Sequence, residues 1–517
     1  MTGLERRVQI PATAHDTLRR YLTPFYCLTL GVLLILVITG CNRDRTPIPT
    51  LTSATPPAIA AKTTHPIQFG TQAQLKSSPT SLPAIPATPD ERTPSPLGVT
   101  AAQLKGRQVN LWYPWKGVPG EIFQTILDEF NRTNKYGITV TSRAFEGFGS
   151  LDDAVESAIS TRTAPDVLVD YGYRARSWEA SGLLADLSPY VDDPVWGLSA
   201  DEQADFISNF WLDDIATGSN TTTSRRLGIP YYRSAYMLFY NQTWAAELGY
   251  PDPPATPEDF RVRACAAAEA VAKSGDKTNL GKGGWLVTPE ADVLSGWINA
   301  FGSDLVNADG TGYVFNTPQT IQALTYLKAL QKSGCAWADS GADPQVEFAN
   351  RRALFIVGSL FDIPSQSAAF SQVPSNDEWM VIPFPSDRQQ VVESYGPSLL
   401  VTSSSAAQQL AAWLVVEWLV YPPNQAEFVE QLGVYPTRQS TLSYFAHTDQ
   451  AGNQYAQALE LLPESREEPT LPSWDIIRWV VSDVSSELFS VQFGADQIPS
   501  LVEKMDRTVQ EILIQGQ

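Results

Sequence analysis

From residue 109 onward the chain switches between two hydrophobic rhythms. Residues 109–115 alternate apolar and polar side chains before ending in Trp112-Tyr113-Pro114-Trp115, the period of a strand. Residues 119–132 instead space Ile122, Ile126, Leu127 and Phe130 three or four apart, which gives a helix one apolar face. A strand over 138–145, a helix over 151–160 and a strand over 166–171 follow in the same way. Such alternation predicts a parallel sheet with helices on its faces. Ligands of such sheets gather beyond the carboxyl ends of the strands, which nominates the loops at 112–117, 145–149 and 170–174. These loops are aromatic or charged where a purely structural turn would favour Gly, Asn or Asp.

A second alternating region follows Tyr240, with helices predicted near 257–273 and 317–333. The chain then returns through a strand at 398–403 into a strongly apolar helix at 406–420, and Trp474 and Trp479 come late. Two alternating lobes joined by extended crossings place a cleft between them. Cys265 and Cys335 fall on the two helical segments of the second region. In an oxidising compartment they are expected to pair; the alternative is two buried thiols.

The amino terminus has a different pattern. Arg6, Arg7, Arg19 and Arg20 precede an apolar run at 21–38, which ends Ile38-Thr39-Gly40-Cys41. A positive region, an apolar run and small residues before a cut mark a secretory signal peptide. The last four residues resemble the bacterial lipobox, which makes Cys41 the lipidated first residue of the mature chain and residues 1–40 the leader. An uncleaved membrane helix is the alternative, since about 18 apolar residues just span a bilayer. Residues 41–106 are expected to be a tether. Up to about residue 98 the composition is rich in Pro, Thr and Ser and nearly free of aromatic residues, so ordering it would bury too little apolar surface to repay the lost entropy.

Composition narrows the chemistry. A net charge of −20 and no Lys/Arg cluster exclude nucleic acid as a partner. Only His15, His65 and His447 are present, and the first two precede the folded part. A serine- or cysteine-type catalytic group would rest on His447 alone, and a zinc site meets the same shortage. No metal or cofactor is expected.

At this point the residues resemble the extracellular solute-binding proteins of ABC importers, in the sugar-binding cluster that includes maltose-binding protein. Thr163-Ala164-Pro165-Asp166-Val167 resembles that family's Ala-Pro-Asp strand entry, and the run from Ser181 to Leu187 its Gly-Leu-Leu segment. Gly228-Ile229-Pro230-Tyr231-Tyr232, the Tyr240-Asn241 pair, and Pro253-Pro254-Ala255-Thr256-Pro257-Glu258-Asp259-Phe260 resemble its hinge strand and following signature, with Pro257 replacing a tryptophan. The run from Phe348 to Ala353, with Asn350-Arg351 in place of Gly-Lys, the turn Val357-Gly358-Ser359, and the run from Gly433 to Arg438 continue the match in order. The resemblance implies an α/β, two-lobed periplasmic-binding-protein-like fold of type II, with hinge-linked lobes around a ligand cleft. It implies a first lobe of 107–232 and 397–465, and a second of 233–396 completed by the terminal helices at 466–517. The implied partners are a small carbohydrate and the permease subunits of an ABC transporter; we expect a monomer, held to the membrane by Cys41.

A sugar needs flat aromatic faces for its C–H surfaces, and carboxylates, amides or Arg for its hydroxyls. Trp112, Tyr113 and Trp115 end the first strand at the mouth of the expected cleft, although alternation turns one or two of them into the core. Glu146 follows the second strand, and Asp170, Tyr171, Tyr173 and Arg174 follow the third. Counting back from the Gly-Leu-Leu match, Arg174 falls on a site arginine of maltose-type proteins and Asp170 on a site tryptophan. Tyr232 and Arg233 flank the hinge, and Phe361 follows the glycine turn near where maltose-type proteins carry a stacking Trp. Trp474, followed by Arg478, resembles their late stacking Trp. Three other functions stay open: capture of a polyol phosphate, polyamine or peptide, a sensor co-receptor, and a carboxylate-based glycosidase. The last would use two acids about 5–10 Å apart. The sequential pairs Asp152-Asp153 and Asp192-Asp193 are expected to point apart on the surface.

Overall fold

The structure, a computed structural model, describes residues 95–217, 224–339, 341–445 and 452–515. Cys41, the apolar run at 21–38 and His447 lie outside them. No helix among the described residues is long and apolar enough to cross a membrane.

The first lobe opens with α1 (Ala101–Leu104) and β1 (Gln108–Tyr113). It continues through α2 (Gly117–Thr133), β2 (Thr139–Ala144), α3 (Phe148–Thr161), β3 (Val167–Tyr171) and α4 (Gly172–Ala180). Then come α5 (Ser208–Asp213), the small ladder of β4 (Ile215–Thr217) and β5 (Ser224–Arg226), and β6 (Gly228–Pro230). The rhythms of the sequence explain these elements. Val109, Leu111 and Tyr113 of β1 face inward, and Phe123, Ile126, Leu127 and Phe130 of α2 cover them. The helix α1 lies where the tether was expected. Val99 is 6% and Leu104 0% exposed in the core of this lobe, so the folded part begins ahead of residue 107.

The second lobe carries β7 (Tyr232–Asn241), α6 (Pro257–Lys273), β8 (Gly283–Leu286), α7 (Ala291–Ala300), α8 (Pro318–Lys332), β9 (Ala336–Trp337) and β10 (Ala353–Ser359). It is completed by β11 (Trp379–Ile382) and β12 (Val392–Tyr395), before β13 (Pro397–Val401) and α9 (Ala406–Leu419) return to the first lobe. After β14 (Tyr435–Pro436) a helix at Gly452–Glu460 packs on β11 of the second lobe, and β15 (Ser465–Glu467) leads on to its last helices, α10 (Trp474–Leu488) and α11 (Ile498–Gln515). Helix α6 starts on a capping box: Thr256 accepts from the Asp259 N–H while Asp259 accepts from the Thr256 N–H, just ahead of Pro257. Helices α10 and α11 share the hydrophobic cluster of this lobe with α7 and α8. Cys265 of α6 and Cys335, next to β9, are joined in a disulfide with Cα atoms 4.4 Å apart.

The first sheet runs β2-β1-β3-β13-β6. Its first three strands are parallel, as alternation predicts, but β13 runs antiparallel to both β3 and β6. Parallel neighbours need a crossover connection; β13 instead arrives across the hinge from the second lobe and enters in the opposite sense. The second sheet runs β15-β12-β7-β10-β8-β9, and β7 also pairs with β11 and β14. Three crossings therefore join the lobes: the start of β7, the β12–β13 link and β15. Gly396, in that link, sits so close to β7 that a Cβ there would lie 2.4 Å from the Tyr232 carbonyl oxygen. Only glycine fits that approach.

Candidate ligand cleft

The lobes meet where β3 turns into α4 and where α10 begins. Tyr171 ends β3 and stacks on Tyr173 at 5.3 Å, with the rings 8° from parallel. Tyr173 is buried within the hydrophobic cluster of the second lobe, beside Trp474. Trp474, at the start of α10, stacks on Tyr313 at 5.9 Å and donates through Nε1 to Glu468 at 2.8 Å. Polar links bind the same junction: Arg174 pairs with Asp475 at 3.0 Å, and the Ser177 hydroxyl donates to the Pro472 carbonyl at 3.3 Å.

Next to this junction the hinge strands add a second aromatic pair. Tyr236 of β7 and Tyr395 of β12 stack at 5.2 Å. Burial pushes the Tyr395 hydroxyl up to about 12, against the opposing pull of the neighbouring Ser234 and Ser359 hydroxyls. A cavity of about 450 Å³ opens beside Tyr236, with Glu290, Asp343, Gln345, Ser359 and Asp362 among its walls. Asp343 and Asp362 are engaged with backbone N–H groups: Asp343 accepts from Gln345 and Asp362 from Ser359. The Glu290 carboxylate makes no hydrogen bond or ion pair among the described residues, and no Lys or Arg lines the cavity.

Behind the aromatic residues lies a layer of buried charge. Asp292, 3% exposed, pairs with Arg478 of α10 at 3.0 Å. Burial pushes the Glu468 carboxyl up to about 7; Arg478 and the Trp474 N–H pull it down, while Asp292 and Glu467 push it further up. Glu393 accepts from the Asn299 amide at 2.8 Å, and burial raises its carboxyl well above the usual range.

The structure scatters the remaining sequence candidates. Tyr113 and Tyr232 are buried in the core of the first lobe, and Trp115 packs between them, 6.0 Å and 5.9 Å from their rings. Trp112 packs on Phe145 at 5.3 Å, under the Arg143 guanidinium. Glu146 is exposed and ion-paired to Lys116. Phe361 is 42% exposed and meets the Tyr232 ring edge-on at 6.2 Å. Arg233 is fully buried: its Nε donates to Glu467 at 2.8 Å, and its Nη1 to the carbonyls of Tyr232 and Pro397. It pins the three crossings together.

Asp152 departs from its expected place on the surface. It is 8% exposed and pairs with Arg174 at 2.9 Å, while Asp153 faces solvent. Asp193 is likewise buried, accepting from Ser95 and from the Val195 and Trp196 N–H groups. In each pair one acid turns inward because a buried donor waits there. Asp170 is fully buried, accepts from the Tyr171 N–H and has its carboxyl raised well above the usual range, first by burial and then by the charge of Asp152. The residues that sequence reasoning passed over are Tyr236, Glu290, Asp292, Tyr395 and Glu468. Strand alternation carried a signal for Tyr236 and Tyr395, which sit on hinge strands.

Two lobes threaded by three crossings, with aromatic and carboxylate groups where they meet, define a hinged solute-binding protein. The chain belongs to the bacterial extracellular solute-binding protein family, whose model matches residues 125–483. Membership places it on the extracytoplasmic side. A binding protein of Brucella abortus (strain 2308) is 23% identical over 305 residues, 58% of this chain and 70% of that protein. Among solved structures, the sugar-binding protein MalE of Xanthomonas citri matches with a TM-score of 0.67 at 20% identity, over 79% of this chain and 98% of that one. The cyclic alpha-maltosyl-1,6-maltose binding protein of Arthrobacter globiformis gives 0.64 at 17%, over 78% and 98%. UgpB of Mycobacterium tuberculosis, in complex with glycerophosphocholine, gives 0.60 at 20%, over 79% and 99%. At these identities the likeness establishes the type II two-lobed fold.

Proposed function

We propose that the chain captures a mono- or oligosaccharide between its lobes and hands it to the permease of an ABC importer. In this reading the mature protein is a monomer moored at the outer membrane face by a lipid on Cys41, with the segment after it as the tether. The observation that carries the reading is the convergence at the lobe junction. Tyr171 comes from one lobe and Tyr236 and Tyr395 from the hinge strands, each partly exposed, with Glu290 beside Tyr236, while Tyr173 and Trp474, 7% and 1% exposed, belong to the core behind them. Flat rings for sugar faces and acceptors for hydroxyls are what a desolvated carbohydrate needs. A ligand touching both walls binds the closed arrangement more tightly and so drives closure. Two structural neighbours are described as binding sugars.

The wall charge separates this from capture of a polyol phosphate. A phosphate needs Arg or Lys, yet the charged residues lining the cavity beside Tyr236 are all acids, and the Arg478 guanidinium is engaged by Asp292. Hydrolysis is disfavoured for a similar reason. Asp152 and Asp170, the neighbouring carboxylates of the junction, are 8% and 0% exposed, so a glycosidic bond does not reach them.

Calorimetry of the full chain against neutral mono- and oligosaccharides, sugar phosphates and polyamines tests the proposal. A neutral sugar is expected to bind, and Y171A or Y395A to weaken it about ten- to hundredfold. Binding of a phosphate or polyamine with no neutral sugar would overturn the substrate class, and formation of a hydrolysis product would overturn binding without catalysis.

A further inference from the structure

A second cavity, of about 650 Å³, lies at the hinge and shares no lining residue with the one beside Tyr236. Its walls come from three bodies of structure: Asn209, Leu212 and Asp213 at α5 in the first lobe, Asn299 and Arg388 in the second, and the hinge strand β15 with Glu464 just before it. Two polar atoms in these walls are buried without partners. Asn299 is 4% exposed; its Nδ2 donates to Glu393, and its Oδ1 has no donor among the described residues. Ser465 is 7% exposed, and its Oγ has no partner either. A buried group left unsatisfied costs about 1–3 kcal/mol, so an occupant that completes these hydrogen bonds is favoured.

The charges of the cavity are unevenly engaged as well. Arg466 pairs with Asp304, and both Asp213 and Glu467 face Arg233. Arg388 and Glu464 remain, one of each sign, with no ion pair among the described residues. Leu212, 58% exposed, and Val391 supply an apolar wall. One cation, one carboxylate, two hydrogen-bonding atoms and a small apolar face complement a small zwitterion.

We propose that this cavity is a second ligand site that takes a free amino acid. Its carboxylate meets Arg388, its ammonium meets Glu464 and the Asn299 Oδ1, and Ser465 Oγ supplies a further hydrogen bond. Because the walls belong to different lobes, an occupant favours the lobe arrangement whose walls fit it. The cleft ligand and the amino acid therefore alter each other's affinity by the same factor.

The test titrates the full chain with each of the common L-amino acids, and with lactate and methylamine as single-charge controls. At least one amino acid is expected to bind. R388A should weaken it about tenfold or more, and S465A about threefold or more. Arg388 is exposed and Ser465 small, so neither change threatens the fold. The proposal is overturned if no amino acid binds at about 10 mM, if binding is unchanged in both variants, or if a single-charge control binds as well as the amino acid. Loss of amino-acid binding in Y171A, with R388A and S465A unaffected, would move the ligand to the cleft and overturn both the second site and the carbohydrate reading.

Discussion

At the scale of single residues, Glu468 is the most informative group at the junction. It is 6% exposed, hydrogen-bonded to Trp474, and held up to about 7 by burial against an ordinary value of 4.5. Between those values the folded chain holds a proton that the unfolded chain has released. The contribution of Glu468 to stability should therefore fall by about 3 kcal/mol as pH rises through that window. E468Q removes that contribution and leaves those of the other buried carboxyls in place. Urea unfolding at about pH 5 and about pH 8 should show the wild type losing more stability than E468Q between the two; equal losses would contradict the assignment. Sequence patterns led to Trp474 and Arg478 through a motif, but they could not lead to Glu468. Its role comes from burial beside Arg478 and among Asp292, which is distant in sequence, and Glu467, which no pattern marks.

At the scale of elements, the sequence anticipated α2, α3, α6, α8 and α9 within a few residues; α2 shows why, since its apolar stripe lies on the first sheet, whereas α9 is apolar on most sides because it is buried. It anticipated the first three strands as well. Two things escaped it. The reversed sense of β13 depends on its arrival through the hinge, and α1 hides in polar sequence with Leu104 as its one buried residue. The disulfide ties α6 to the turn after α8 across a separation of 70 residues. Closing a loop of that length stabilises the fold by about 4 kcal/mol on the chain-entropy account. A C265S/C335S double variant should lose stability on that scale by denaturant titration, and the wild type should lose it only with reductant present. Insensitivity of the wild type to reductant would show that the two thiols are not joined.

At the scale of the whole molecule, the central feature is a pair of lobes that the hinge holds in register. Arg233 joins the crossings by contacts to Glu467, Tyr232 and Pro397, and Gly396 lets two of them approach closely. Here the sequence was read correctly for architecture. It named Tyr171, Tyr173 and Trp474, which the fold brings together, alongside Tyr113 and Arg233, which the fold buries for packing and pinning. Alternation marks which side of a strand a residue occupies, but not whether that side meets a helix or a ligand. The account stands on closure around a carbohydrate, and small-angle scattering of the full chain, with and without the neutral sugar that calorimetry selects, tests it most directly. The account predicts that saturating sugar makes the molecule more compact and that Y171A needs more sugar to reach the same compaction. A radius of gyration unmoved by a sugar that demonstrably binds would contradict it.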